Sequence, residues 1–254
     1  MNFPQVKTGR VRAFLWRVLA LLGALGLFTA PGRAAETNAP CVRAEADFAT
    51  ARTAFAVAPK VVTNAWQLGR AAFLWADCAT NDHQRAGIAN EGIRACRAAV
   101  ARDPQSAAAH YYLAQNLGEL ARTKSLGALK LVREMEKTWL KAQTLDERLD
   151  FAGPDRSLGM LYLDAPGWPT SLGSNAKART HLERAVRLAP DYPDNRLTFA
   201  EALLRWRKRD ELAVQLQALA ELWPRAKLKF TGTEWDAAWL DWESRLVVLK
   251  RKGK

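Results

Sequence analysis

CRAAVARDPQSAAAHYYLA, residues 96–114, aligns without a gap to LERAVRLAPDYPDNRLTFA, residues 182–200. Ala99 falls on Ala185, Val100 on Val186, Pro104 on Pro190 and Ala114 on Ala200. The matched types carry a helical meaning. A small alanine lets a neighbouring helix approach closely, and a proline just beyond ends the helix before the next one begins. Each segment therefore reads as the end of one helix, a tight turn and the start of another.

Outward from this pair the chain keeps the same character. From about residue 41 onward it is dense in Ala, Leu, Arg and Glu, with apolar residues recurring at three- and four-residue intervals and almost no alternating β-branched stretches. Punctuation by Pro, Gly and Asp predicts helices over 42–57, 61–78, 86–102, 106–122, 125–143, 148–163, 174–189, 194–207, 209–223 and 233–251. The fold class is all-α. Short helices joined by tight turns, with no long linker, read as an array of antiparallel hairpins. Tetratricopeptide repeats end their second helix in the manner of Ala99 to Pro104, and Trp66-Gln67-Leu68-Gly69 resembles the start of such a repeat. The two copies are 86 residues apart, about two and a half units of this kind, so the intervening unit is expected to be longer and irregular.

The first residues predict export. Lys7, Arg10, Arg12 and Arg17 precede an apolar run from Val18 to about Ala30, followed by Pro31-Gly32-Arg33-Ala34-Ala35. That order is a secretory signal peptide in outline, and the run is shorter than the roughly 20 residues that span a bilayer. Cleavage is expected after Ala34 or Ala35, leaving a repeat domain over 36–232 and a capping helix with a basic tail over 233–254. Residues 1–35 hold five basic and no acidic residues, so their removal lowers the formal charge from +12 to +7. What remains sits partly in Arg205-Trp206-Arg207-Lys208-Arg209 and in Lys250, Arg251, Lys252 and Lys254, which read as a solvated helix face and a tail. Nucleic-acid binding is not expected of an exported chain. Asn38-Ala39-Pro40 before Cys41 does not fit a lipoprotein signal, so a soluble periplasmic protein is the expectation.

Three cysteines, Cys41, Cys78 and Cys96, lie in the mature part, and an oxidising compartment permits a disulfide. If 42–57 and 61–78 form a hairpin turning near Pro59, facing residues sum to about 119, and Cys41 with Cys78 meets that sum. Cys96 sits roughly 7 to 15 Å too far along its own hairpin to reach Cys78. A Cys41–Cys78 disulfide and a buried Cys96 thiol are therefore expected.

Chemistry-bearing patterns are sparse. His83, His110 and His181 fall on separate segments, no His, Cys or acidic pair shows metal-ligand spacing, and there is no nucleophile elbow, phosphate loop or dinucleotide fingerprint. No catalytic residue, metal or cofactor is expected. Asp146, Glu147, Asp150 and Asp155 gather around a helix start, where acidic side chains complement the helix dipole. The least repeat-like stretch is GPDRSLGMLYLDAPGWPTSLG, residues 153–173, whose glycines, prolines and Trp168 suggest a shaped loop for recognition. In the last predicted helix Trp235, Trp239, Trp242 and Leu246 share one face, as a terminal cap of a repeat array needs.

Tyr111 to Gly118, Ser157 to Tyr162, Ala165 to Pro169 with Leu172-Gly173, and the Ala185 to Pro190 repeat end together resemble the TatT family, over about residues 61–223. These are periplasmic tetratricopeptide components associated with TRAP-type transporters. The resemblance implies a right-handed superhelix around a ligand-holding pore, assembly into a homo-oligomer, docking of a periplasmic solute-binding protein and a small hydrophobic ligand. Carried over position by position, it makes Tyr112, Asn116, Arg156, Tyr162, Trp168 and Ser171 the candidate ligand contacts. The lipoprotein signal found in the family is missing here, and the segment from Trp235 to Trp242 is outside the match. The alternative function is a cell-envelope scaffold that binds a peptide or protein segment in its concave face.

Overall fold

A computed structural model of the chain describes residues 34–124, 127–167 and 169–253. Apart from Ala34 and Ala35, the expected signal peptide lies outside the described residues. Within them run α1 (Ala34–Val57), α2 (Val62–Asp77), α3 (Asp82–Arg102), α4 (Ala107–Ala121), α5 (Ala128–Leu145), α6 (Leu149–Asp164), α7 (Asn175–Leu188), α8 (Pro193–Arg205), α9 (Arg209–Lys229) and α10 (Asp236–Lys252). The described residues form two compact units, one holding α1–α5 and the other α6–α10.

In the N-terminal unit α2 with α3 and α4 with α5 make hairpins, α1 lies along α2, and α2 also lies beside α4. Helix starts follow their capping residues. Asn81 accepts a hydrogen bond from the Gln84 N–H at 2.9 Å, while the Gln84 side chain accepts from the Thr80 N–H at 2.9 Å, and Ser106 accepts from the Ala109 N–H. That reciprocal cap starts α3 at Asp82, four residues earlier than the pattern predicts. Phe48, Leu68, Ala72, Ala76, Ile88 and Ala95 form the core between α1, α2 and α3, each large side chain contributing about 1.5–3 kcal/mol through burial. The alanines of the repeat do what their size predicts: Ala99, Ala114, Ala185 and Ala200 are all wholly buried where helices meet. A disulfide joins Cys41 to Cys78 with Cα atoms 5.6 Å apart, and Cys96 is a buried free thiol whose pKa is driven up by burial.

In the C-terminal unit α6 pairs with α7 and α8 with α9, and α8 packs between α6 and α10. The opening of α6 departs from helical geometry. Asp150, Phe151 and Ala152 have φ of 51°, 53° and 61°, a left-handed turn that Phe151 and Ala152 each disfavour by about 1–2 kcal/mol and Asp150 tolerates better. The right-handed helix starts at Gly153, which places Pro154 in its first turn, where a missing N–H is harmless. The stretch 153–173 is thus not one loop: it is helical to Asp164, and only the part after Asp164 connects to α7. Gly159 lies within the helix at a close approach to α7, where a Cβ would be 2.6 Å from the Leu182 side chain. The connection itself is pinned by backbone bonds from Gly173 N–H to the Pro166 carbonyl at 2.9 Å and from Ser174 N–H to the Tyr162 carbonyl at 2.8 Å. Helix α9 runs on through Pro224 to Lys229, where the pattern predicts an end at 223, and its extension buries Ala226 and leads into Phe230. Phe230 joins Phe151, Tyr192, Trp235 and Trp242 in an aromatic cluster, with Phe151 stacked on Tyr192 at 4.4 Å. Trp239 packs edge-on against Trp223 and donates its indole N–H to the Phe230 carbonyl at 2.7 Å.

Candidate functional site

The hairpins have a first and a second helix, and the first helices stand side by side: α2 beside α4 in one unit, α8 beside both α6 and α10 in the other. Residues on these rows are the natural candidates for recognition. In the N-terminal unit Trp66 of α2 stacks on Tyr112 of α4, with ring centres 5.9 Å apart and planes 9° off parallel, and Tyr111 meets Tyr112 edge-on. Asn116 is wholly buried one turn further along, donating its amide to the Gly69 and Tyr112 carbonyls, both at 2.7 Å. Its geometry ties α4 to the backbone of α2.

At the end of this row lies an ionic cluster that the sequence reading did not foresee. Glu119 of α4 faces Arg122 at 2.9 Å and Arg85 of α3 at 3.3 Å, and Arg122 also reaches Asp77 of α2 at 2.9 Å. Burial pushes the Glu119 carboxyl up, the Arg122 charge pulls it down and the Asp77 charge pushes it up again; the result is about 7. A carboxyl held near neutrality by burial is a proton-binding group inside a helix interface.

The C-terminal row is crossed by a larger network. Arg156 of α6 is buried and reaches Asp150 at 3.1 Å, Asp194 of α8 at 3.2 Å and the Asn195 side-chain oxygen at 2.8 Å. It also donates to the Phe151 carbonyl at 3.2 Å, and the Asn195 amide donates to the same carbonyl at 3.0 Å. The left-handed turn is therefore fixed from both sides. From α10, Arg245 binds both Glu201 oxygens at 3.0 and 2.8 Å, Thr198 at 2.9 Å, Asp241 at 3.1 Å and the Asp194 carboxylate. Burial raises the Asp194 carboxyl, but the charges of Arg245 and Arg156, with hydrogen bonds from Arg245 and Thr198, outweigh it and hold it below the usual carboxylate range. Asp241 moves the other way, raised chiefly by burial. Asp194 and Glu201 occupy the places of Ala108 and Gln115 in the earlier copy of the repeat, 86 residues before. The same helix face is thus neutral in one copy and charged in the other.

Between α6 and α7, Asp155 meets His181 at 2.8 Å and Arg184 at 2.8 Å, and Arg184 also pairs with Glu147. Tyr162 is buried, with His181 stacked on its ring at 5.5 Å and the Lys177 ammonium over it at 4.8 Å. Of the acidic residues around the start of α6, Glu147 and Asp155 thus share Arg184, Asp150 goes to Arg156, and Asp146 accepts from the Arg148 backbone N–H. Ser171 is half-buried in the connection after α6, and Trp168 lies outside the described residues. Of the candidate contacts, Tyr112 and Asn116 come together in the N-terminal unit, and Arg156, Tyr162 and Ser171 belong to the C-terminal one. Asp194, Glu201 and Arg245 were missed. Asp194, Thr198 and Glu201 recur at steps of four and three, and Asp241 and Arg245 at four, a pattern that marks charges on one helix face. Among the described residues no group of three His, Cys, Asp or Glu is placed to hold a metal ion, and no helix is long and apolar enough to cross a membrane.

No protein-family model and no curated protein matches the chain. Among solved structures it is similar to the crystal structure of TTC0263, a thermophilic TPR protein in Thermus thermophilus, with a TM-score of 0.61 and 20% identity over 83% of this chain and 92% of that one. It also matches the crystal structure of MamA, with a TM-score of 0.49 and 16% identity over 78% of this chain and 98% of that one. The similarity to TTC0263 and the hairpin order establish the fold as that of tetratricopeptide repeats.

Proposed function

We propose that the protein is an exported helical-repeat scaffold that binds a peptide or protein segment along its rows of first helices and carries out no catalysis. The observation that carries this reading is the row itself. Side-by-side first helices present one surface, with Thr63, Gln67 and Arg70 at steps of four and three along α2. Repeat arrays use such surfaces to hold extended or helical segments. The disulfide joining α1 to the end of α2 supports export, because such bonds persist in oxidising compartments. Cleavage after Ala34 or Ala35 would free the repeat domain in the periplasm.

A photo-crosslinking residue at Gln67 should capture a protein partner in the cell envelope, and one at Lys141 on the outer surface of α5 should not. Capture from Lys141 alone would refute the reading.

A more specific reading takes the protein as a TatT-like component that holds a small hydrophobic ligand and docks a periplasmic solute-binding protein beside a TRAP transporter. Its support is the ordered connection after α6, where backbone bonds rather than helix shape the chain. Native mass spectrometry separates the two readings: a co-purified small apolar molecule favours the transport component, whereas a ligand-free chain that crosslinks to protein favours the scaffold.

A further inference from the structure

The hairpins leave one helix over at each end. Pairs α2/α3, α4/α5, α6/α7 and α8/α9 account for eight helices. α10 packs on α8 as a first helix does, yet no second helix follows it among the described residues. α1 packs on α2 as the second helix of a preceding hairpin would, and no first helix precedes it among the described residues. Each leftover helix buries one face and exposes apolar groups on the other. On α10 the inward side chains are Ala238, Trp242, Leu246 and Leu249, whereas Leu240 is 60% and Val247 66% exposed. With Ser244 they form a stripe at steps of four and three, opposite the buried face. On α1 the inward residues are Ala44 and Phe48, whereas Val42 is 65% and Val57 80% exposed. Between these two lie Ala46, Thr50 and Thr53, all exposed. The hydroxyls of Thr50 and Thr53 donate back to the Ala46 and Ala49 carbonyls at 3.0 Å, so both threonines satisfy their polar atoms within the helix. Half of the ten large hydrophobic side chains that stand exposed among the described residues are on these two helices.

We infer that α10 of one chain docks on α1 of a second copy, antiparallel, completing a hairpin of the same kind that repeats within each chain. Charge selects this orientation. α1 carries Glu45 and Asp47 about its middle, with Arg43 just ahead of them, and Arg52 and Lys60 toward and just beyond its end. Glu234 stands just before α10 and Asp236 at its start, Asp241 and Glu243 lie in its middle, and Lys250, Arg251 and Lys252 fill its last turns. Antiparallel pairing brings Arg52 and Lys60 of α1 to Glu234 and Asp236 and turns Glu45 and Asp47 toward the basic last turns of α10, whereas parallel pairing sets Arg52 and Lys60 against Lys250, Arg251 and Lys252. The contact is heterologous, head to tail, so it extends into rings or filaments instead of stopping at a symmetric dimer.

Sedimentation of the full chain from micromolar to near-millimolar concentration tests this. The wild-type mass should rise with concentration beyond two chains and fall back in high salt. Leu240→Glu, or Val247→Glu as a second choice, spoils the tail; Ala46→Glu spoils the head. Helicity by circular dichroism should be unchanged, since all three positions are exposed. Each variant alone should stay at the mass of one chain, and a mixture of a tail variant with the head variant should form a one-to-one pair, because one intact α10 then meets one intact α1. A wild-type chain that remains single at every concentration, variants that assemble unhindered, or a mixture that forms no pair would each overturn the proposal. None of these outcomes depends on what the rows of first helices bind.

Discussion

Exchanging a single heavy atom between two helices offers a sharp check on the packing of the N-terminal unit. A Cβ built on Gly69 of α2 would sit 2.0 Å from the Cys96 sulfur of α3, and its next neighbours are at an ordinary 3.6 Å. Gly69→Ala alone gains about 1 kcal/mol of helix propensity but forces a wholly buried sulfur aside, and overpacking of this sort costs about 1–3 kcal/mol. A net loss of up to about 2 kcal/mol is expected. Cys96→Ala alone removes one buried atom and costs about 1 kcal/mol, by analogy with deleting a single buried methyl. In the double variant the new methyl fills the space that the sulfur vacates, so stability should return to within about 1 kcal/mol of the parent, a favourable coupling of about 1–2 kcal/mol. Urea unfolding of all four proteins, with the disulfide intact and followed by far-ultraviolet circular dichroism, measures it. If the two single costs simply add, the sulfur and the glycine are not in contact and the pairing of α2 with α3 described above is wrong.

Further outcomes follow from the charged clusters and the cysteines. Glu119 has its folded pKa raised from 4.5 to about 7, so the fold favours its protonated form: its contribution to stability should be fully present below pH 4.5, fall by about 3 kcal/mol as pH rises to 7 and then level off. Glu119→Gln should abolish that slope in pH-dependent unfolding, and an unchanged slope would assign it to other groups. Arg245→Met leaves Asp194, Glu201 and Asp241 without their shared guanidinium, and chemical unfolding should show a loss of about 3–5 kcal/mol in the C-terminal unit. Reducing the Cys41–Cys78 bond, which closes a separation of 37 residues, should lower stability by about 4 kcal/mol on the loop-entropy estimate, read as a shift in the urea midpoint. A thiol reagent should find no reactive cysteine in the native oxidised protein and one, Cys96, in denaturant.

Helix number and order were legible because burial on one side writes a period of three to four residues into the chain, as in Trp235, Trp239, Trp242 and Leu246. The disulfide was legible because hairpin geometry leaves Cys41 and Cys78 opposite one another. Ends were harder to read where a side chain acts on a backbone group nearby, as when Asn81 and Gln84 together start α3. The left-handed turn at Asp150 to Ala152 left no local trace, since none of its residues favours that conformation; it is imposed by Arg156 and Asn195, and only the second is distant in sequence. The charged network escaped notice for a similar reason. Arg156, Asp194 and Arg245 each look like surface residues of an amphipathic helix until α6, α8 and α10 are set side by side.

That turn also bears on how the chain comes together as it is made. Phe151 emerges 44 residues before Asn195, whose amide clasps its carbonyl. At about 5–20 residues per second, the start of α6 waits about 2–9 seconds without its partner. Until then the segment has no reason to adopt left-handed dihedrals and every reason to sample ordinary ones. Neighbour-by-neighbour growth, the habit of repeat proteins, therefore has one forced pause here: the hairpin of α6 and α7 stays provisional until the helix after it is delivered.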